Sequence, residues 1–213
     1  IILKVEKMNK NDLKLISAFI DTKNSKAELN FAHLKDDGIY ATDTKKLIKF
    51  SIPMLSLNCL VEKRIFEGFI KTCDKTSLTT FDGFGNIRKH GLKMSCDTFD
   101  GDVVPVDFDK ILDGQSFPHQ FFLESIGDLQ FELAQRNCFI DEEHLNPIIA
   151  FAECTGFNIF YEEQKETIVK DVPTKNSGIV KIVGRYSTED ESNIVKFIAV
   201  VMGRTFESKA IEE

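Results

Sequence analysis

The chain of 213 residues has 42% hydrophobic and 29% charged side chains, a globular composition that excludes extended disorder and allows one large domain or two of about a hundred residues. Its longest apolar runs, 51–61 and 194–202, are shorter than the roughly twenty residues of a membrane span, so a cytoplasmic protein is expected. The net charge of −7 is unevenly divided, since residues 1–107 hold 17 basic and 15 acidic side chains and residues 108–213 hold 10 and 19. Tight sequence-specific DNA binding is therefore disfavoured, and any DNA contact requires a local basic surface.

The first predicted elements are a strand at 2–6 and a short helix capped by Asn11. The helix is indicated by an apolar stripe at helical spacing, formed by Leu13, Ile16, Phe19 and Ile20. Strands are predicted next at 27–34 and 38–52. Between them, Asp37-Gly38 is typical of a hairpin turn, because glycine tolerates the positive φ that such turns require.

The same order is predicted a second time in the first half. A strand at 57–61 precedes a helix at 62–74, whose apolar stripe is Ile65, Phe66, Phe69 and Ile70. Strands follow at 77–81 and 86–96, linked by a glycine-containing turn. The first half is thus predicted to be α+β, with two copies of a unit of one strand, one helix and three strands.

One strand of the first unit carries a recognisable local motif. Ala41-Thr42-Asp43 is followed, after two residues, by Lys46 and Leu47. This run resembles the Ala-Thr-Asp-x-x-Arg-Leu strand of bacterial DNA polymerase clamps, with lysine in place of the usual arginine. Together with the repeated unit, it makes residues 1–110 similar to one domain of the DNA sliding clamps, the ring proteins that tether polymerases.

The second half follows this plan less clearly. A helix is predicted at 141–154, with Leu145, Ile148, Ile149 and Ala152 at helical spacing and Thr155-Gly156 at its end. An alternative is a helix of two turns capped by Asn146, with Pro147 as its first residue. Strands are predicted at 158–162, 167–172, 179–186 and 194–203. The preceding unit, around 121–137, is shortened and contains no convincing long helix. Two clamp-like domains are therefore expected, at 1–110 and 111–213.

The sequence offers no catalytic motif, so an enzyme is not expected. No cofactor is expected. No metal is expected, because the acidic segment at 97–118 lacks the ligand spacing of a calcium loop and is interpreted as a connector. The carboxylates at 141–143 before His144 are interpreted as the first turn of a helix, where they complement the helix dipole, and not as an acid/base cluster. The five cysteines are widely spaced, lie beside apolar residues and are interpreted as reduced, buried hydrophobes.

The clamp resemblance implies a non-enzymatic processivity or scaffold factor in DNA replication or repair. Helix side chains inside such a ring meet phosphates of duplex DNA without reading bases, and the candidates in this chain are Lys10, Lys14, Lys63, Arg64 and Lys71. Polymerase or repair peptides would dock near the connection between domains, which Val106, Phe108 and Phe117 border. Because rings of this family contain six domains, a two-domain chain implies a homotrimer.

The predicted helix at 141–154 carries no Lys or Arg, which departs from this pattern. The alternative is a non-encircling clamp-fold protein, or another α+β binding module such as a virion or regulatory component, without DNA contact.

Overall fold

The computed structural model of the chain describes residues 7–22, 26–35, 37–51, 59–72, 79–81, 86–89, 92–95, 108, 120–122, 125–134, 138–163, 168–169, 172–173, 179–187 and 193–205. The helices within these ranges are α1 (Lys10–Ser17), α2 (Lys63–Thr72), α3 (Ile126–Ala134) and α4 (Glu142–Thr155), and a 3-10 turn covers Ala27–Asn30. The strands are β1 (Lys7–Met8), β2 (Phe31–Lys35), β3 (Gly38–Thr42), β4 (Lys46–Ser51), β5 (Cys59–Glu62), β6 (Thr79–Phe81), β7 (Asn86–Lys89), β8 (Leu92–Ser95), β9 (Gln120–Phe122), β10 (Cys138–Phe139), β11 (Asn158–Glu163), β12 (Ile168–Val169), β13 (Val172–Pro173), β14 (Ile179–Ser187), β15 (Asn193–Met202) and β16 (Arg204–Thr205). None of these described helices is long and apolar enough to cross a membrane.

The largest element of the fold is an antiparallel sheet of eight strands in the order β5-β2-β3-β4-β15-β14-β11-β9. A second sheet contains β1, β6, β7 and β8 in that order, and two short ribbons pair β10 with β16 and β12 with β13. Helices combined with antiparallel sheets confirm the predicted α+β class.

The elements of the first half run in the order strand, helix, three strands, and then in the same order again, with the 3-10 turn after α1. The first strand of each unit pairs with a strand of the other unit, since β1 pairs with β6 and β5 pairs with β2. The β4–β15 pairing then joins strands of the predicted halves 1–110 and 111–213 into one sheet. The boundary between these halves stays a prediction, since residues 109–119 lie outside the described part of the chain.

All four helices pack against one face of the eight-stranded sheet, called the inner face below. One buried cluster holds residues of every helix together with alternate residues of the strands, including Leu13, Phe66, Leu129, Leu145, Ile39, Ala41, Ile48, Phe50 and Ala199. Alternate side chains on a strand point to opposite faces of a sheet. Tyr40, Leu47 and Val200 therefore lie on the other side, called the outer face.

Helix α1 begins earlier than predicted, because Asn9 and not Asn11 is its cap. The Asn9 Oδ1 atom accepts hydrogen bonds from the backbone N–H groups of Asn11 at 2.8 Å and Asp12 at 3.1 Å. The Asp12 carboxylate accepts in return from the Asn9 N–H at 2.9 Å, which completes a capping box. Both asparagines have a suitable side chain, but only Asn9 is followed at the third position by a carboxylate.

The hairpin predicted at Gly38 is confirmed, since Gly38 pairs with Lys35 across β2 and β3. The reason for glycine at position 38 differs from the expected one. Positive φ is found among the described residues at Thr44 and Gly156, and not at Gly38. A Cβ atom at position 38 would lie 2.4 Å from the carbonyl oxygen of Phe50 on β4, so the close approach of two strands requires glycine. The predicted strand at 27–34 is partly wrong, because residues 27–30 form the 3-10 turn.

Helix α4 contains Pro147, so the short alternative that begins at Asn146 is wrong. The helix starts at Glu142 and ends as predicted at Gly156, whose φ of 71° is the left-handed conformation of a helix C-cap. Burial of Leu145, Ile148 and Phe151 stabilises the helix despite the proline. Cys154 is exposed on this helix, so the expectation of buried cysteines is wrong there; it faces away from the buried stripe.

The shortened unit of the second half consists of β9 and α3. Only residues 135–137 separate the end of α3 from the start of β10, which leaves no room for three strands. By contrast, α1 is followed by β2, β3 and β4, and α2 by β6, β7 and β8. The predicted strands at 158–162, 179–186 and 194–203 correspond closely to β11, β14 and β15.

Candidate functional site

Helices α1 and α2 contact each other along the inner face of the sheet. Their apolar sides are turned toward the sheet, since Leu13, Ile16 and Phe66 are each 0% exposed. The opposite sides of both helices are therefore directed away from the sheet. They form a two-helix surface, called the α1–α2 face below.

Three of the predicted DNA-binding side chains, Lys14, Arg64 and Lys71, are exposed on these two helices. Arg64 and Lys71 are seven positions apart, which places them on the same side of α2. Glu67 is also exposed and lies between them at helical spacing. Sequence reasoning missed Glu67, although its spacing from both cations is the signal that identifies it. Glu67 and the ion pair of Arg64 with Glu62 therefore offset part of the positive charge of Arg64 and Lys71 on the exposed side of α2.

The other two predicted DNA-binding residues are less accessible. Lys63 is half-buried, and its Nζ donates a hydrogen bond of 2.8 Å to the carbonyl oxygen of Ile20, just after α1. This bond gives Lys63 a structural part in holding the start of α2 to the end of the α1 segment. Lys10 is half-buried at the first position of α1. Their contact with DNA stays a prediction.

The helices of the second half have the opposite charge. The exposed side chains of α4 include Glu142, Glu143 and Glu153, and the helix carries no Lys or Arg. On α3, Asp128 is exposed and again no basic residue is present. The inner layer is thus basic at α1 and α2 and acidic at α3 and α4.

The outer face of the sheet has a small apolar cluster of its own, formed by Tyr40, Leu47, Phe108 and Val200. Phe108 is 2% exposed, and its ring centroid lies 5.1 Å from that of Tyr40 and 6.4 Å from that of His33. Because Leu47 pairs with Val200 across β4 and β15, the cluster covers the joint between the two predicted halves. The other predicted partner-binding residues, Val106 and Phe117, lie outside the described residues.

A polar network borders this cluster. The Tyr40 hydroxyl donates to the Asp37 carboxylate, whose oxygens are 2.9 and 2.8 Å away, and the Lys49 ammonium group also binds Asp37. The Nζ atoms of Lys35 and Lys49 lie 5.1 and 5.3 Å from the centroid of the Tyr40 ring. Burial raises the pKa of Tyr40 to about 12. Partial burial opposes ionisation of Asp37, but hydrogen bonds from Lys49 and Tyr40 still hold the pKa of Asp37 below its usual value.

The Ala-Thr-Asp motif ends β3 with Ala41 and Thr42 and begins the turn to β4 with Asp43. Asp43 Oδ1 accepts hydrogen bonds from the N–H groups of Lys45 at 3.0 Å and Lys46 at 2.9 Å, and Asp43 Oδ2 pairs with the Lys46 ammonium at 2.8 Å. The Thr42 hydroxyl donates to the Lys46 carbonyl at 2.9 Å. The Met202 N–H donates to the Lys45 carbonyl at 2.8 Å, which ties the turn to β15. The motif therefore fixes the end of β3 and the β3–β4 turn, and this turn is tied to β15 of the second half.

Three possible metal ligands meet at the start of α4: Asp141, Glu143 and His144, with ligand atoms within 4.8 Å of one another. His144 is buried, and its Nε2 lies 3.9 Å from Asp141 Oδ2. Burial first, and then the nearby Lys46 cation, lower the pKa of His144. The positive end of the helix dipole and Lys46 both oppose a cation here, so these carboxylates are better explained as helix-starting residues.

Comparisons with known proteins identify the fold. No protein-family model matches the chain, and no curated protein matches its sequence. The beta clamp of Helicobacter pylori in complex with diflunisal aligns with 95% of this chain at 16% identity and a TM-score of 0.52. The DNA polymerase sliding clamp of Pseudomonas aeruginosa aligns with 95% of it at 9% identity and a TM-score of 0.55.

The chain has the sliding-clamp fold. This confirms the fold that the sequence resemblance implies. The chain spans 66% of the length of the Helicobacter pylori clamp and 67% of that of the Pseudomonas aeruginosa clamp. At identities of 16% and 9%, the likeness concerns the arrangement of helices and strands.

Proposed function

We propose that this protein is a cytoplasmic, non-enzymatic clamp-like scaffold that contacts duplex DNA without sequence preference and tethers replication or repair proteins. The observation that carries the proposal is the α1–α2 face, where Lys14, Arg64 and Lys71 are exposed on adjacent helices of a sliding-clamp fold. Cations on helices that face away from a sheet suit a phosphate backbone, which needs charge and not base-specific hydrogen bonds.

DNA binding of this kind is weak and depends on salt. Each Lys or Arg that neutralises a phosphate releases counterions, so added salt lowers the affinity steeply. The acidic side chains of α4, together with the net charge of −7, reduce the attraction further. The proposal therefore expects contact through the first half of the chain, with little contribution from the second.

Partner peptides are proposed to dock on the outer face, beside Phe108. Phe108 is itself buried together with Tyr40, Leu47 and Val200 at the joint between the two halves, so a peptide would contact the border of this cluster, where the Lys35 and Lys49 ammonium groups lie. A short peptide with acidic side chains fits the charge of this border.

The assembled form is proposed to be a homotrimer, since three two-domain chains supply the six domains of a clamp ring. Size-exclusion chromatography with light scattering measures this directly. A trimer has three times the chain mass of 24.2 kDa. A species that stays at the chain mass when concentrated would contradict the ring while leaving the fold unaffected.

A second candidate function is a clamp-fold binding module that does not encircle DNA. It is favoured by the three-residue link between α3 and β10, which leaves the third unit without the strands that follow α1 and α2. The absence of Lys and Arg from α4 also favours this second candidate. A stable monomer without DNA affinity would support this candidate over the first.

Charge reversal on α2 tests the first candidate. Lys71→Glu should weaken binding of a fluorescein-labelled duplex at low salt, and Arg64→Glu combined with Lys71→Glu should weaken it further. Lys45→Glu is the matched control, because Lys45 is also exposed but belongs to the β3–β4 turn. Equal anisotropy titrations for Lys71→Glu and Lys45→Glu would show that the α1–α2 face does not contact DNA.

A further inference from the structure

We draw no further inference here: the strongest candidate, the Arg185 guanidinium on β14, which stacks on the Phe160 ring of β11 and whose buried Nε atom has no hydrogen-bond partner among the described residues, carries no proposal because nothing in the structure shows what covers it.

Discussion

Truncation of Phe108 should destabilise the protein strongly, because this side chain covers the joint between the two halves. Phe108 is 2% exposed and packs against Tyr40, Leu47 and Val200. Replacing a buried phenylalanine by alanine costs about 3–5 kcal/mol, of which the Tyr40 ring contact at 5.1 Å accounts for about 0.5–1.5 kcal/mol. Since domains are stable by only about 5–15 kcal/mol, Phe108→Ala should lose a fifth or more of the unfolding free energy.

The assay is urea unfolding followed by far-ultraviolet circular dichroism, with the midpoint and the slope compared between variants. Phe131→Ala is the matched control, because the same truncation at a side chain that is 67% exposed should change the unfolding free energy by less than about 0.5 kcal/mol. A loss below about 1 kcal/mol for Phe108→Ala would refute the reasoning, since the outer-face cluster would then not hold the connecting segment to the sheet.

Three further predictions concern single sites. Gly38→Ala should lower the urea midpoint sharply, because its Cβ atom would lie 2.4 Å from the Phe50 carbonyl oxygen. Gly127→Ala should raise the midpoint slightly, because its Cβ atom meets only the Ser125 hydroxyl, at 3.6 Å. Equal effects of the two substitutions would contradict this account. Asn9→Ala should cost about 1 kcal/mol of unfolding free energy through loss of the α1 cap, and no change in the midpoint would exclude a capping role. Burial lowers the pKa of His144 below its value of 6.5 in the unfolded chain. The unfolding free energy should therefore be highest above pH 6.5 and should fall on acidification, by up to about 1.4 kcal/mol per pH unit, until the pH reaches the pKa of the folded state. His144→Gln should remove that component of the pH dependence, and identical pH profiles would disprove it.

The order of strands and helices in the first half follows from local signals. Apolar stripes at helical spacing locate α1 and α2, and Asp-Gly locates the β2–β3 hairpin, because both patterns depend on neighbouring residues alone. The predicted role of Gly38 is wrong in its cause, since the Phe50 carbonyl oxygen that excludes a side chain belongs to another strand. Contacts of this kind appear only when distant strands are placed side by side.

The candidate site could be predicted only in part, because some of its contacts also join residues that are distant in the sequence. Helical spacing is enough to predict that Arg64 and Lys71 are exposed. The hydrogen bond from Lys63 to Ile20 spans 43 residues, and no local sequence pattern indicates it. The burial of Phe108 against Tyr40 likewise requires the β4–β15 joint, which pairs strands about 150 positions apart. Exposure of Phe131 also could not be predicted, because α3 carries apolar residues on both sides.

The most direct test of DNA contact by the α1–α2 face is the salt dependence of duplex binding. Each phosphate contact adds about 0.9 to the slope of log affinity against log salt, so Lys14→Ala, Arg64→Ala and Lys71→Ala should each reduce the slope by about that amount. The Lys45→Ala control should leave the slope unchanged. An unaltered slope in all three α1–α2 variants, or the absence of binding by the unaltered chain at low salt, would contradict the proposed DNA interface.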